Sequence, residues 1–77
     1  MNFLYQQRRG DPVAVPQPFD TYYQAQLALD HLLAEHRQAK RLVCNRVVGE
    51  RLRWEVHDLE GLLCSYWLAH EESLGPQ

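Results

Sequence analysis

Residues 51–68 read RLRWEVHDLEGLLCSYWL, and the reading of this stretch decides the fold. Leu52, Trp54 and Val56 alternate with Arg51, Arg53, Glu55 and His57, a period of two that puts the apolar set on one face of a β-strand. Asp58, Leu59, Glu60 and Gly61 break the pattern. Gly61 can take a positive φ at no steric cost, as a three-residue hairpin loop with a bulge requires. A loop of Leu59, Glu60 and Gly61 sets Asp58 opposite Leu62, Val56 opposite Cys64 and Trp54 opposite Tyr66. Leu52, Trp54, Val56, Leu62, Cys64, Tyr66 and Leu68 then share one face, with Trp54 the expected core aromatic.

Upstream, residues 41–48 (RLVCNRVV) form a strand, and Gly49-Glu50 suits a two-residue turn. That turn pairs Val47 with Leu52 and Val43 with Val56, and sets Asn45 opposite Trp54. The other face then carries Leu42, Cys44, Arg46, Val48, Arg51, Arg53, Glu55, His57, Leu63, Ser65, Trp67 and Ala69. Before this strand the period changes to that of a helix, from about 20 to 38. Asp20 is the expected N-cap, with Phe19 as a hydrophobic staple. Tyr22, Ala25, Leu29, Leu32, Leu33 and His36 fall on one helical stripe. Tyr23, Leu27 and Ala34 lie on its back, where an apolar cluster can mark an interface.

At the N-terminal side, residues 2–6 (NFLYQ) could add a short edge strand. Pro12, Pro16 and Pro18 fix φ and disfavour helix, so residues 7–18 read as an extended, polyproline-like arm. The expected fold is α+β: one helix packed on a three-stranded antiparallel meander. Its parts are an N-terminal arm (1–19), one small domain (20–70) and a disordered tail (71–77).

A chain of 77 residues allows one small domain, whose core is marginal without a partner. The net charge of −2 lacks the basic excess of a general nucleic-acid binder. The first residues, MNFLYQQRRGD, hold no apolar signal-peptide core, and no apolar run is long enough to span a bilayer. The expected compartment is the cytoplasm, with both cysteines reduced.

No motif specifies chemistry. His31 and His36 are five apart, where a helical zinc pair wants four. Cys44 and Cys64 lack CxxC spacing and fall on opposite sheet faces, so no metal and no cofactor are expected. Neither cysteine sits in a motif with histidine. Glu55, Asp58 and Glu60 lie near one another in sequence, but a small meander has little room for a catalytic cleft, and the chain is read as a non-enzyme. His36 reads as a half-buried histidine at a helix end, and Arg9-Gly10-Asp11 as a turn.

Charge is segregated. Residues 37–53 hold Arg37, Lys40, Arg41, Arg46, Arg51 and Arg53 against Glu50 alone; residues 54–77 hold Glu55, Asp58, Glu60, Glu71 and Glu72 with no Lys or Arg. Cross-strand pairing between these segments is the expected use of much of this charge. A helix followed by three strands is similar in order to double-stranded RNA-binding domains, but those end in a second, lysine-bearing helix where this chain reads HEESLGPQ.

The function these features suggest is a small protein-interaction module: an inhibitor, adaptor or regulatory subunit that binds a larger protein. The alternative is a nucleic-acid binder using Arg46, Arg53 and Trp67 as a basic, stacking sheet face. The third is a homodimer whose sheet faces pack together, with regulation by assembly. The expected binding surface is the face away from the helix, with Trp67 as anchor and Leu63, Arg46 and Arg53 around it. Tyr23 and Leu27 on the helix back are the second candidate. No membrane and no small-molecule substrate are expected.

Overall fold

The computed structural model describes residues 1–70; the expected disordered tail, 71–77, lies outside the described residues. Its elements are β1 (Asn2–Arg8), β2 (Val15–Phe19), α1 (Tyr22–Gln38), β3 (Leu42–Val48), β4 (Arg51–Asp58) and β5 (Gly61–Ala69). The five strands form one antiparallel sheet in the order β2-β1-β5-β4-β3.

The three-strand expectation therefore undercounts the sheet. Residues 2–8 do not sit at an edge. They lie between β2 and β5, with Leu4 opposite Leu68, Tyr5 opposite Trp67 and Gln6 opposite Tyr66. The segment read as a proline-rich arm is extended, and its second half is β2, laid along β1 with Pro16 opposite Tyr5 and Pro18 opposite Phe3. A proline cannot donate to a ladder, which confines β2 to the edge.

Because β2 and β3 are the two edges, α1 must cross the whole sheet between them. At about 1.5 Å per residue its 17 residues span ~25 Å, enough for five strands spaced about 4.8 Å apart. Ala25, Leu29 and Leu33 face down and are buried, and with Leu4, Val56, Cys64 and Tyr66 they fill the space between helix and sheet. Phe19, Leu32, Val43, Trp54 and Leu68 pack around this core. Tyr22, expected on the stripe, is exposed and borders a groove with Leu52, Trp54 and Leu68. Among the described residues no helix is long and apolar enough to cross a membrane.

Both helix ends are closed by local chemistry. The N-cap is Thr21, not Asp20: its extended backbone turns the hydroxyl so that Oγ1 accepts from the Gln24 amide at 3.1 Å. At the other end Lys40 N donates to Arg37 O (2.9 Å) and Arg41 N to His36 O (3.0 Å). This is a Schellman closure that needs a left-handed residue, and Lys40 supplies it at φ 62°.

The β3–β4 register agrees with the sequence reading throughout: Val47 with Leu52, Asn45 with Trp54, Val43 with Val56. Asn45 is exposed, so its amide is not buried against the indole. The β4–β5 hairpin differs. Its turn is two residues, Leu59 and Glu60, with Asp58 opposite Gly61 at φ 112°. His57 then faces Leu62, and a bulge restores Val56 to Cys64 and Trp54 to Tyr66. The extra residue is Leu63. Since one residue of slip turns a side chain to the other face, Leu63 joins the helix-side core and Leu62 is left 44% exposed on the far face.

Candidate functional site

The face away from the helix was expected to present Trp67. Tyr5 instead stacks on the indole from β1, with centroids 5.5 Å apart and planes 8° from parallel, and Phe3 follows at 6.3 Å from Tyr5. From β4 the Arg53 guanidinium sits 4.7 Å from the indole centroid, and Arg51 lies at 5.9 Å. Trp67 is left 7% exposed. It is a second, outer core rather than an open anchor, and its ring has no free face on which a base could stack. With Leu63 turned to the helix side, two of the four expected anchors leave this surface.

Arg46 and Arg53 remain. They are direct cross-strand partners, a repulsive pairing unless each is drawn elsewhere. Arg53 is drawn to Trp67, with its Nε buried and unpartnered. Arg46 Nε reaches Glu55 Oε2 at 3.5 Å. On the helix back, Tyr23 and Leu27 are exposed as expected, separated from the sheet faces by the helix itself. Arg9 is no free adhesion residue: it holds Asp58 at 2.6 Å and Glu60 at 3.0 Å and donates to Leu62 O. That pairing keeps the Asp58 carboxyl below its usual range.

Three features that the residue pattern alone did not single out carry more chemistry. The first is the β3 edge. Leu42, Val47 and Val48 are exposed, Val47 at 69%. Arg46 is the one charged residue of the strand, and neither proline nor bulge interrupts it. Edge strands are ordinarily protected by such devices, and the opposite edge, β2, has its prolines. A groove of about 460 Å³ lies elsewhere, between the first turns of the helix and the β4–β5 strands, lined by Tyr22, Leu52, Trp54 and Leu68 among others.

The second is a half-buried contact at the helix C-terminus. Arg41 Nη1 donates to His36 Nδ1 at 3.1 Å, so the neutral ring keeps its proton on Nε2, which donates to Tyr66 Oη at 2.8 Å. Cys64 Sγ lies 3.7 Å from the same Nε2 and 3.4 Å from Tyr66 Oη. An Nε2 that carries a proton cannot accept one from the thiol, so this trio packs a core and does not activate a nucleophile. Burial first and Arg41 second hold His36 below the usual imidazole range. Burial and the Cys64 contact raise the Tyr66 phenol well above its usual range.

The third is a group of donor atoms on the far face. Cys44 and Glu55 are register partners, and His57 stands two residues along the same face. This juxtaposition follows from the register that pairs Val47 with Leu52; it has no signature in the spacing along the chain.

No protein family, curated protein or solved structure matches the chain, so its function has to be argued from this geometry.

Proposed function

We propose that the chain is a small protein-binding module that acts by strand addition at the β3 edge rather than by catalysis, in a reducing compartment such as the cytoplasm, and that the occupant of that edge is a second copy of itself. The observation that carries this is the self-complementary sequence of β3, Leu42–Val48 (LVCNRVV), which holds neither proline nor bulge.

Two copies related by a two-fold axis must pair antiparallel with helices on the same side of the joint sheet. Centring the axis on Asn45 pairs all seven residues. Leu42 meets Val48 of the second copy, Val43 meets Val47, and Cys44 meets Arg46. Each exposed apolar residue gains an apolar partner and no like charges meet. Shifting the centre to Arg46 sets two arginines face to face; shifting it to Cys44 sets Leu42 against Arg46. Asn45 against Asn45 at the axis supplies a polar pair that fixes the register.

The test is sedimentation of the purified full chain at high micromolar concentration. A dimer is expected, and Val47→Lys should convert it to a folded monomer, since a lysine is the usual guard of a free edge. Asn45→Cys in a Cys44→Ser background should cross-link on oxidation, whereas Val48→Cys should not. A wild-type monomer, or a dimer indifferent to Val47→Lys, would overturn the reading.

A further inference from the structure

We infer that Cys44, Glu55 and His57 form a binding site for a thiophilic divalent cation, with Zn²⁺ the best match. One donor atom from each residue, a thiol sulfur, a carboxylate oxygen and an imidazole nitrogen, lies within 4.8 Å of the other two. A tetrahedral zinc ion with bonds of about 2.0–2.3 Å holds its ligands roughly 3.3–3.8 Å apart. Closing the group onto an ion therefore asks for side-chain shifts of about 1 Å, and all three residues stand on paired strands whose backbones stay fixed.

The carboxylate supplies an independent reason. Glu55 is 7% exposed, yet its nearest nitrogen neighbours among the described residues are distant: Arg46 Nε at 3.5 Å and His57 Nε2 at 3.6 Å. A carboxylate this enclosed, with only long contacts to neighbouring cationic groups, has acceptor capacity left for a bound cation. A cation bound between Glu55, His57 and Cys44 uses that capacity. Thiolate and carboxylate together neutralise a divalent charge. Arg46, whose side chain is 64% exposed, can turn to solvent when the ion replaces it.

The donor set selects the metal. Mg²⁺ and Ca²⁺ prefer oxygen shells; a mixed sulfur, nitrogen and oxygen set suits zinc. Three protein ligands leave a fourth position for water or an external ligand. Binding displaces the Cys44 thiol proton to solvent and involves no redox step. The site lies within one chain, so it stands whether or not β3 pairs with a second copy.

The experiment is titration of the reduced full chain with Zn²⁺ alone and with Co²⁺ as a spectroscopic substitute, with the fold followed by circular dichroism. One equivalent is expected, with proton release near neutral pH and a thiolate-to-cobalt charge-transfer band. Cys44→Ser should remove the band. Glu55→Gln and His57→Gln should each weaken zinc binding by at least about 10-fold, the lower end of what even outer-sphere losses cost. Cys64→Ser and the edge variant Val47→Lys should leave binding unchanged. Absence of stoichiometric uptake by the wild-type chain would overturn the inference. So would a band that survives Cys44→Ser and disappears in Cys64→Ser, which would move the ion to the Cys64–His36 contact.

Discussion

Trp67 and Tyr5, paired across the central β5–β1 ladder, lie with ring centroids 5.5 Å apart and planes 8° from parallel. They stand on the sheet face that the helix does not cover. The sheet therefore has two apolar layers, and the outer one is sealed by its own strands and by the Arg53 guanidinium. Truncating Trp67 leaves a cavity beneath a side chain that cannot collapse into it. Trp67→Ala should cost about 3–5 kcal/mol of stability, and Trp67→Phe much less, in urea denaturation. A Trp67→Ala protein as stable as wild type would mean the indole is not enclosed.

The helix ends on a lysine held at φ 62°, a conformation that costs an L-residue about 1 kcal/mol and glycine almost nothing. Lys40 is exposed, so its side chain has little packing to lose. Lys40→Gly should raise stability by roughly 0.5–1 kcal/mol, less whatever glycine gains in the unfolded chain. The thermal midpoint is the measurement, and a lower midpoint would show that the lysine side chain contributes more than its backbone costs.

The burial of His36 against the sheet makes stability depend on pH in one direction. Burial and Arg41 lower the folded-state pKa of His36, with Arg8 acting the same way and Glu35 opposing them. The unfolded chain, near the ordinary value of about 6.5, thus takes up the proton first as pH falls. The stability contributed by the neutral ring is full above that value and is lost as pH drops through it toward the folded-state value. Denaturant midpoints should fall over this interval, and His36→Gln should flatten the slope. Asp58, also lowered but by Arg9 and the Glu60 amide, loses its contribution only in the carboxylate range, so the two effects separate. A slope unchanged in His36→Gln would assign it elsewhere.

Local pattern was enough where partners are close in sequence. Gly49-Glu50 and the alternation around it place Cys44 against Glu55 and Val43 against Val56, and the apolar stripe places Ala25, Leu29 and Leu33 over the sheet. What it could not supply depends on distant partners. Residues 2–8 are too short to declare themselves; what orders them is pairing with β5, some sixty residues on. Trp67 looked exposed because its cover, Tyr5, belongs to that strand. The His36–Tyr66 bond depends on where the helix crosses the sheet, which side-chain periodicity does not encode. The Cys44–Glu55–His57 group was implicit in a register that was correctly read, but metal spacing motifs run along a chain, and these ligands meet across two strands.

The bulge after the β4–β5 turn makes the sharpest division between neighbouring residues. Strict alternation with a three-residue loop would point Leu62 at the helix and Leu63 away from it. With a two-residue turn, Leu62 pairs with His57 on the far face and Leu63 becomes the extra residue, packed among the helix-side apolar groups. Gly61, at φ 112°, allows the chain to enter β5 at the angle the bulge then corrects. Leu63 is half-buried, so Leu63→Ala should cost about 1–2 kcal/mol, below the range for fully buried leucines. Leu62→Ala, at an exposed position, should stay within about 0.5 kcal/mol of wild type. Chemical denaturation of both variants checks this. The reverse order of costs would mean that the hairpin closes through three residues and that Leu63, not Leu62, faces solvent.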